Sequence, residues 1–134
     1  MIRFLPLLMI MTATPALADP CTAPVSGYSS GTVITGTIRY VGDGDSLCIG
    51  RTPDPRTWLE VRLHGWSAPE LNEPGGKRAR AALERLRGLP AVCTVRRGRN
   101  GRTASYDRVI ASCSVAGVPV AERMRRAGVR EGGR

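Results

Sequence analysis

The run Trp58-Leu59-Glu60-Val61-Arg62-Leu63 alternates apolar with charged or amphipathic side chains. A period of two puts Leu59, Val61 and Leu63 on one face and Trp58, Glu60 and Arg62 on the other. An extended strand satisfies that pattern and a helix does not. The strand is therefore expected to be half-buried. It runs into His64-Gly65-Trp66-Ser67-Ala68-Pro69-Glu70, where the glycine and proline demand a turn. A cation, Arg62, and a carboxylate, Glu70, thus flank a strand-to-turn junction.

The neighbouring segments read the same way. Thr32–Val41 is rich in β-branched residues and predicts a strand. Gly42-Asp43-Gly44-Asp45 predicts a tight turn, with glycines at positive φ and aspartates bonded to their own backbone. Ser46–Ile49 returns as a second strand, and Trp58–Leu63 is the third. Lys77–Arg87 carries Ala79, Ala82, Leu83 and Leu86 at helical spacing, and Gly88 and Pro90 stop it. Ala91–Arg97 and Arg108–Val115 predict two more strands around a basic, Gly-rich loop. Val118–Ala127 predicts a short helix with Val120, Met124 and Ala127 inward. The fold expected is mainly β with α. It is a five-stranded Greek-key barrel of the OB type, with one helix between strands 3 and 4 and a short C-terminal helix.

The ends do not belong to that domain. Met1-Ile2-Arg3, the apolar run Phe4–Met11 and the small-x-small Ala16-Leu17-Ala18 predict a signal peptide over 1–18, cut before Asp19. Residues 19–31 predict an extended N-terminal arm, 32–129 the domain and 130–134 a loose basic tail. After that cut, nineteen Lys and Arg face eleven Asp and Glu, a net +8. Such an excess favours a polyanion partner, nucleic acid first.

An even number of cysteines in an exported chain predicts disulfides. Cys21, Cys48, Cys93 and Cys113 allow three pairings. Cys93 and Cys113 lie symmetrically about the centre of the last hairpin, near Thr103, and can face each other. That leaves Cys21 on the arm for Cys48 on the second strand. No CxxC pair is present, and the lone His64 has no nearby cysteine, which argues against zinc. The run Phe4–Met11 is too short to span a bilayer.

Arginines beside carboxylates on a basic protein suit phosphodiester chemistry. A guanidinium fork matches phosphate oxygens bidentately, a carboxylate can activate water, and a hard cation held by carboxylates can bridge the two. Arg62, Glu70 and Arg108 are the candidate reacting set, with Asp45 a cation ligand and Asp43 its neighbour. Taken singly, each residue has an ordinary explanation: a hairpin turn, a solvated arginine, a Pro-Glu turn. Arg96, Arg97, Arg99 and Arg102 can track a phosphate backbone. Trp58 and Trp66 suit packing better than base stacking, and His64 suits a loop better than a general base.

Three motifs in order carry a resemblance: Val41-Gly42-Asp43-Gly44-Asp45-Ser46-Leu47, then Val61-Arg62-Leu63 with Ala68-Pro69-Glu70, then Tyr106-Asp107-Arg108-Val109-Ile110-Ala111. Met124-Arg125-Arg126-Ala127-Gly128-Val129 adds a closing helix and its glycine stop. From about Thr37 to Val129 the chain resembles the thermonuclease, or staphylococcal-nuclease-like, family. The resemblance implies a calcium-dependent nuclease of DNA and RNA. It implies catalytic roles for Arg62, Arg108 and Glu70, and calcium ligation by Asp45 and the Ala68 carbonyl, with Asp43 beside them. Tyr106 matches a tyrosine near the bound nucleotide. Two departures stand out. Ser67 occupies the position of a calcium-ligand aspartate, and a hydroxyl is a poorer ligand for a hard cation. Asp107 replaces a glycine before the second arginine. The expected protein is thus an exported, secreted or periplasmic, monomeric nuclease holding Ca2+ at Asp45, Asp43, Ser67 and Ala68. The alternative is an OB-fold module that binds nucleic acid without cutting it.

Overall fold

A computed structural model describes residues 19–132; the expected signal peptide lies outside the described residues. Five strands form the barrel: β1 (Val33–Val41), β2 (Ser46–Gly50), β3 (Leu59–Leu63), β4 (Pro90–Val95) and β6 (Arg108–Val115). Two-residue strands β5 (Ala104–Ser105) and β7 (Val118–Pro119) pair with β6. Helix α1 (Gly76–Glu84) joins β3 to β4, and α2 (Val120–Arg126) follows β7. Both helices lie where the periodicity put them, with α1 ending about a turn early and α2 starting two residues late.

The pairing closes on itself. β1 pairs antiparallel with β2 and β4, β2 with β3, and β4 with β6. β3 then pairs with β6 in parallel, Arg62 opposite Ile110, and shuts the barrel. This is the α+β, OB-like barrel expected. Closure removes the open sheet edges.

The interior follows the alternation. Leu59, Val61 and Leu63 of β3 meet Ile38, Leu47, Ile49, Val95 and Val109 in one core, which Ala79 and Leu83 of α1 and Val120 and Met124 of α2 cap. Ala127 is exposed rather than inward, and Val129 is buried in the same core as Met124. Burying side chains of this size stabilises by about 1.5–3 kcal/mol each before entropy is counted. Two disulfides, Cys93–Cys113 and Cys21–Cys48, supplement that core. Cys93 and Cys113 are registered partners across β4 and β6.

The other face of β3 is not open. Glu60 is only 4% exposed. The arm lies over it: Cys21 is bonded to Cys48, the strand partner of Glu60, and the Ala23 N–H donates to the Trp58 carbonyl at 3.1 Å. The arm then follows the barrel, with Gly31 N–H donating to Val95 O at 2.8 Å and the Thr103 hydroxyl donating to Tyr28 O at 2.8 Å. Among the described residues of the tail, Gly132 is held to the barrel. Val129 is buried, and Gly132 N–H donates to Ser67 O at 2.7 Å.

Candidate functional site

The acidic turn between β1 and β2 is built differently from expectation. Neither Gly42 nor Gly44 has positive φ. Gly44 is required for space: a Cβ there would lie 2.5 Å from the Cβ of Ala79 and 2.6 Å from that of Ala68. The turn is thereby pressed between α1 and the Ser67–Pro69 segment. Asp43 accepts the Asp45 N–H at 3.2 Å, the local bond aspartates favour in turns. Asp45, 7% exposed, accepts the Ala68 N–H at 2.9 Å. Trp66, 2% exposed, donates its indole N–H to Gly44 O at 2.9 Å, which makes it a packing residue. Trp58 likewise donates to Thr52 O at 2.7 Å.

Arg62 leaves β3 toward this turn. Its guanidinium donates to Leu63 O at 2.5 Å, Trp66 O at 2.8 Å and the Ser67 hydroxyl at 3.0 Å, and lies 3.4 Å from the Asp45 carboxylate. The parallel β3–β6 pairing brings Arg108, two residues before Ile110, to the same mouth. Both arginines line a cavity of about 680 Å³ with Arg97, Arg99, His64 and Glu131. Arg96 and Arg102 are exposed on the same hairpin but do not line it. Among the described residues, no carboxylate lies within ion-pair distance of Arg108.

A second cavity, about 520 Å³, opens on the other side of Arg108. Its walls include Asp19, Asp43, Glu60, Asp107 and Arg80. Tyr106 lines this cavity rather than the basic one. It is 93% exposed, at φ 56° in the two-residue turn between β5 and β6. Arg108 is the wall that a basic and an acidic cavity share.

The carboxyls are perturbed accordingly. Burial first, then a hydrogen bond to Asp43 and its charge, pushes Asp45 up to about 6, against the Ala68 N–H and Arg62. Burial works to raise Asp43 as well, but hydrogen bonds from Asp45 and Ser46 and the charge of Arg108 outweigh it, and its pKa is lowered. Burial, a hydrogen bond to the Asp19 carboxyl and the charges of Asp19 and Asp107 push Glu60 up to about 8, with Arg108 opposing.

Of the expected reacting set, Arg62 and Arg108 come together. Glu70 lies on the loop after Pro69, its N–H donating to the Glu73 carboxylate at 3.4 Å, and does not line the basic cavity. Two of the expected calcium ligands, Asp45 and Ser67, are engaged within the protein. Ser67 accepts from Arg62, Asp45 accepts from Ala68 and faces Arg62, and the backbone of Gly132 lies against the Ala68 carbonyl. Calcium takes six to eight oxygens. Among the described residues, no three His, Cys, Asp or Glu side chains converge on a point where a metal could bind.

Sequence reading missed Glu60, Asp19 and Glu131 at the two cavities. An isolated Glu on a charged strand face carries no mark of burial, because the covering arm is distant in sequence. Compared with family models and with curated proteins, the chain matches none.

Proposed function

We propose that the chain is an exported nuclease that takes a phosphodiester of DNA or RNA into the basic cavity and hydrolyses it. One observation carries the reading: Arg62, Arg97, Arg99 and Arg108 line a single open cavity on a chain of net charge +9. Guanidinium groups on two adjacent strands can grip a phosphate and stabilise the charge that grows on its oxygens as water attacks. In that step water forms the new P–O bond, the ester P–O bond breaks, and the leaving oxygen takes up a proton. Glu70 is the carboxylate proposed to accept the proton of water, which requires its loop to approach the cavity. The three motifs and their resemblance to the thermonuclease family support the assignment of these roles.

Calcium enters this reading as a quantity to titrate. Asp45, Asp43, Ser67 and the Ala68 carbonyl are the proposed ligands, with Arg62 donating to the Ser67 hydroxyl and facing Asp45. The two disulfides fit an oxidising compartment such as the periplasm or the exterior. Among the described residues no helix is long and apolar enough to cross a membrane.

A second reading, binding without cleavage, is favoured by the position of Glu70 outside the cavity and by the Ser67 hydroxyl tied to Arg62. One experiment separates them. Labelled single-stranded DNA and RNA are incubated with the oxidised protein across calcium concentrations, beside Glu70→Gln and Ser67→Asp. Cleavage lost in Glu70→Gln supports the nuclease. Salt-sensitive binding with intact oligonucleotides supports the binding module. Neither cleavage nor salt-sensitive binding overturns both.

A further inference from the structure

The acidic cavity contains an unexplained group. Glu60 is 4% exposed, it lines the cavity, and its Oε2 has no hydrogen-bond partner among the described residues. A buried carboxylate oxygen without a partner is costly, and a carboxyl facing a second carboxyl doubly so. Here a second carboxyl, Asp19, lines the same cavity as Glu60. Asp107 comes from the β5–β6 turn, Asp43 from the β1–β2 turn, and Tyr40 from β1. Arg108 and Arg80 are the cations on the wall, and neither forms an ion pair with Glu60. This is a pocket built for one more positive charge.

The chain itself can supply it. Asp19 follows Ala16-Leu17-Ala18, the small-x-small site where cleavage is expected. While that peptide bond is intact, the Asp19 nitrogen is a neutral amide. Once it is hydrolysed, the same nitrogen becomes an α-ammonium on a residue that already stands at the cavity wall. Three bonds separate that nitrogen from the Asp19 carboxyl carbon, so the ammonium is carried by a residue lining the same cavity as Glu60. The Cys21–Cys48 disulfide two residues on limits how far the end can wander.

We propose that the acidic cavity is the seat of the processed N-terminus: cleavage before Asp19 releases an α-ammonium that pairs with Glu60 and Asp19 and locks the arm over β3. The cation takes the place of the proton that buried Glu60 otherwise retains. It also supplies Glu60 with a counter-charge other than Arg108, leaving that guanidinium to the basic cavity. The ligand class is a primary ammonium, and the occupant is the chain's own. The inference does not depend on what the basic cavity binds.

The test compares the chain starting at Asp19 with a free α-amine, the same chain acetylated on that amine, and Glu60→Gln with the free amine. The Glu60 carboxyl is followed by carbon NMR through a pH titration, and the α-amine by nitrogen NMR. With the free amine, Glu60 is expected to titrate lower than in the acetylated chain by about one unit or more, and the amine above its ordinary range. In Glu60→Gln the amine is expected to move back toward that range. Identical Glu60 titration in the free and acetylated chains would overturn the proposal. Calcium or magnesium is then added to the acetylated chain. If either metal lowers Glu60 while the amine does not, the cavity holds an inorganic cation and the assignment to the N-terminus is wrong.

Discussion

Asp45 accepts the backbone N–H of Ala68 at 2.9 Å, and this bond ties the acidic turn to the Pro69 turn across the mouth of the barrel. The carboxylate also faces Arg62 at 3.4 Å. Asp45→Ala strands both partners in a place with little water. It is expected to cost about 2–3 kcal/mol, read as a fall in the urea midpoint at unchanged slope. Asp45→Asn keeps an acceptor for Ala68 and is expected to cost less.

Arg108 and Arg62 are expected to separate binding from stability. Arg62 holds Trp66, Ser67 and Asp45 in place, so Arg62→Ala lowers both stability and oligonucleotide affinity. Among the described residues Arg108 makes no such hydrogen bonds or ion pair, and only its charge favours the ionised forms of Asp43 and Glu60, so Arg108→Ala lowers affinity with a smaller loss of stability than Arg62→Ala. Its logarithmic salt dependence for single strands should become shallower by about 0.7, one phosphate contact. Fluorescence anisotropy over a salt series measures both.

Glu60 gives the chain a pH dependence of definite sign. With the α-amine blocked, the folded protein keeps the Glu60 proton up to about 8, whereas the unfolded chain releases it near the ordinary value of 4.5. Between those values the folded state binds more protons. Stability attributable to this group therefore falls as pH rises through the window, by about 1.4 kcal/mol per unit at most. Glu60→Gln is expected to flatten the curve. Denaturation midpoints measured across the window, in the blocked and free-amine chains, check this.

Gly44→Ala places a methyl carbon 2.5 Å from one alanine Cβ and 2.6 Å from another. The turn has to move off α1, and overpacking of this kind costs about 1–3 kcal/mol. Thermal unfolding should show it, whereas Gly101→Ala, which meets nothing in space, costs only the strain of its positive φ.

Removing the Cys21–Cys48 bridge by paired serine substitution should cost about 3 kcal/mol for a loop of this length. It should also do something loss of Cys93–Cys113 does not: free the arm, wet Glu60 and bring its titration down toward the ordinary glutamate range. The two double mutants titrated side by side decide it.

The barrel was legible because its evidence is local. The alternation of Trp58–Leu63 and the helical spacing from Ala79 to Leu86 each report a face, and a face implies a core. The Cys93–Cys113 bridge is legible because a hairpin has a centre that can be counted. What failed was non-local. Glu60 reads as a solvent-facing residue until an arm some forty residues earlier is laid across it, and no local pattern encodes that path. Gly44 reads as a flexible turn residue, yet its role is set by Ala68 and Ala79, which approach from elsewhere. The tail reads as loose because Gly and Arg dominate it, while Gly132 is the residue small enough to lie on the Ala68 carbonyl. The arginine pair was legible as chemistry; that Glu70 stands apart from it was not.

The parallel contact of β3 with β6 has a kinetic consequence. Every other pairing among the five barrel strands is antiparallel; this one closes the ring, and like the β1–β4 pairing it joins segments far apart in sequence, at an entropic cost of closure. Arg62 and Arg108 meet only when that contact exists, so a chain with the rest of its sheet formed still lacks the paired guanidiniums. A polyanion that requires both would bind the closed state preferentially, and its presence would slow reopening of the barrel at this seam.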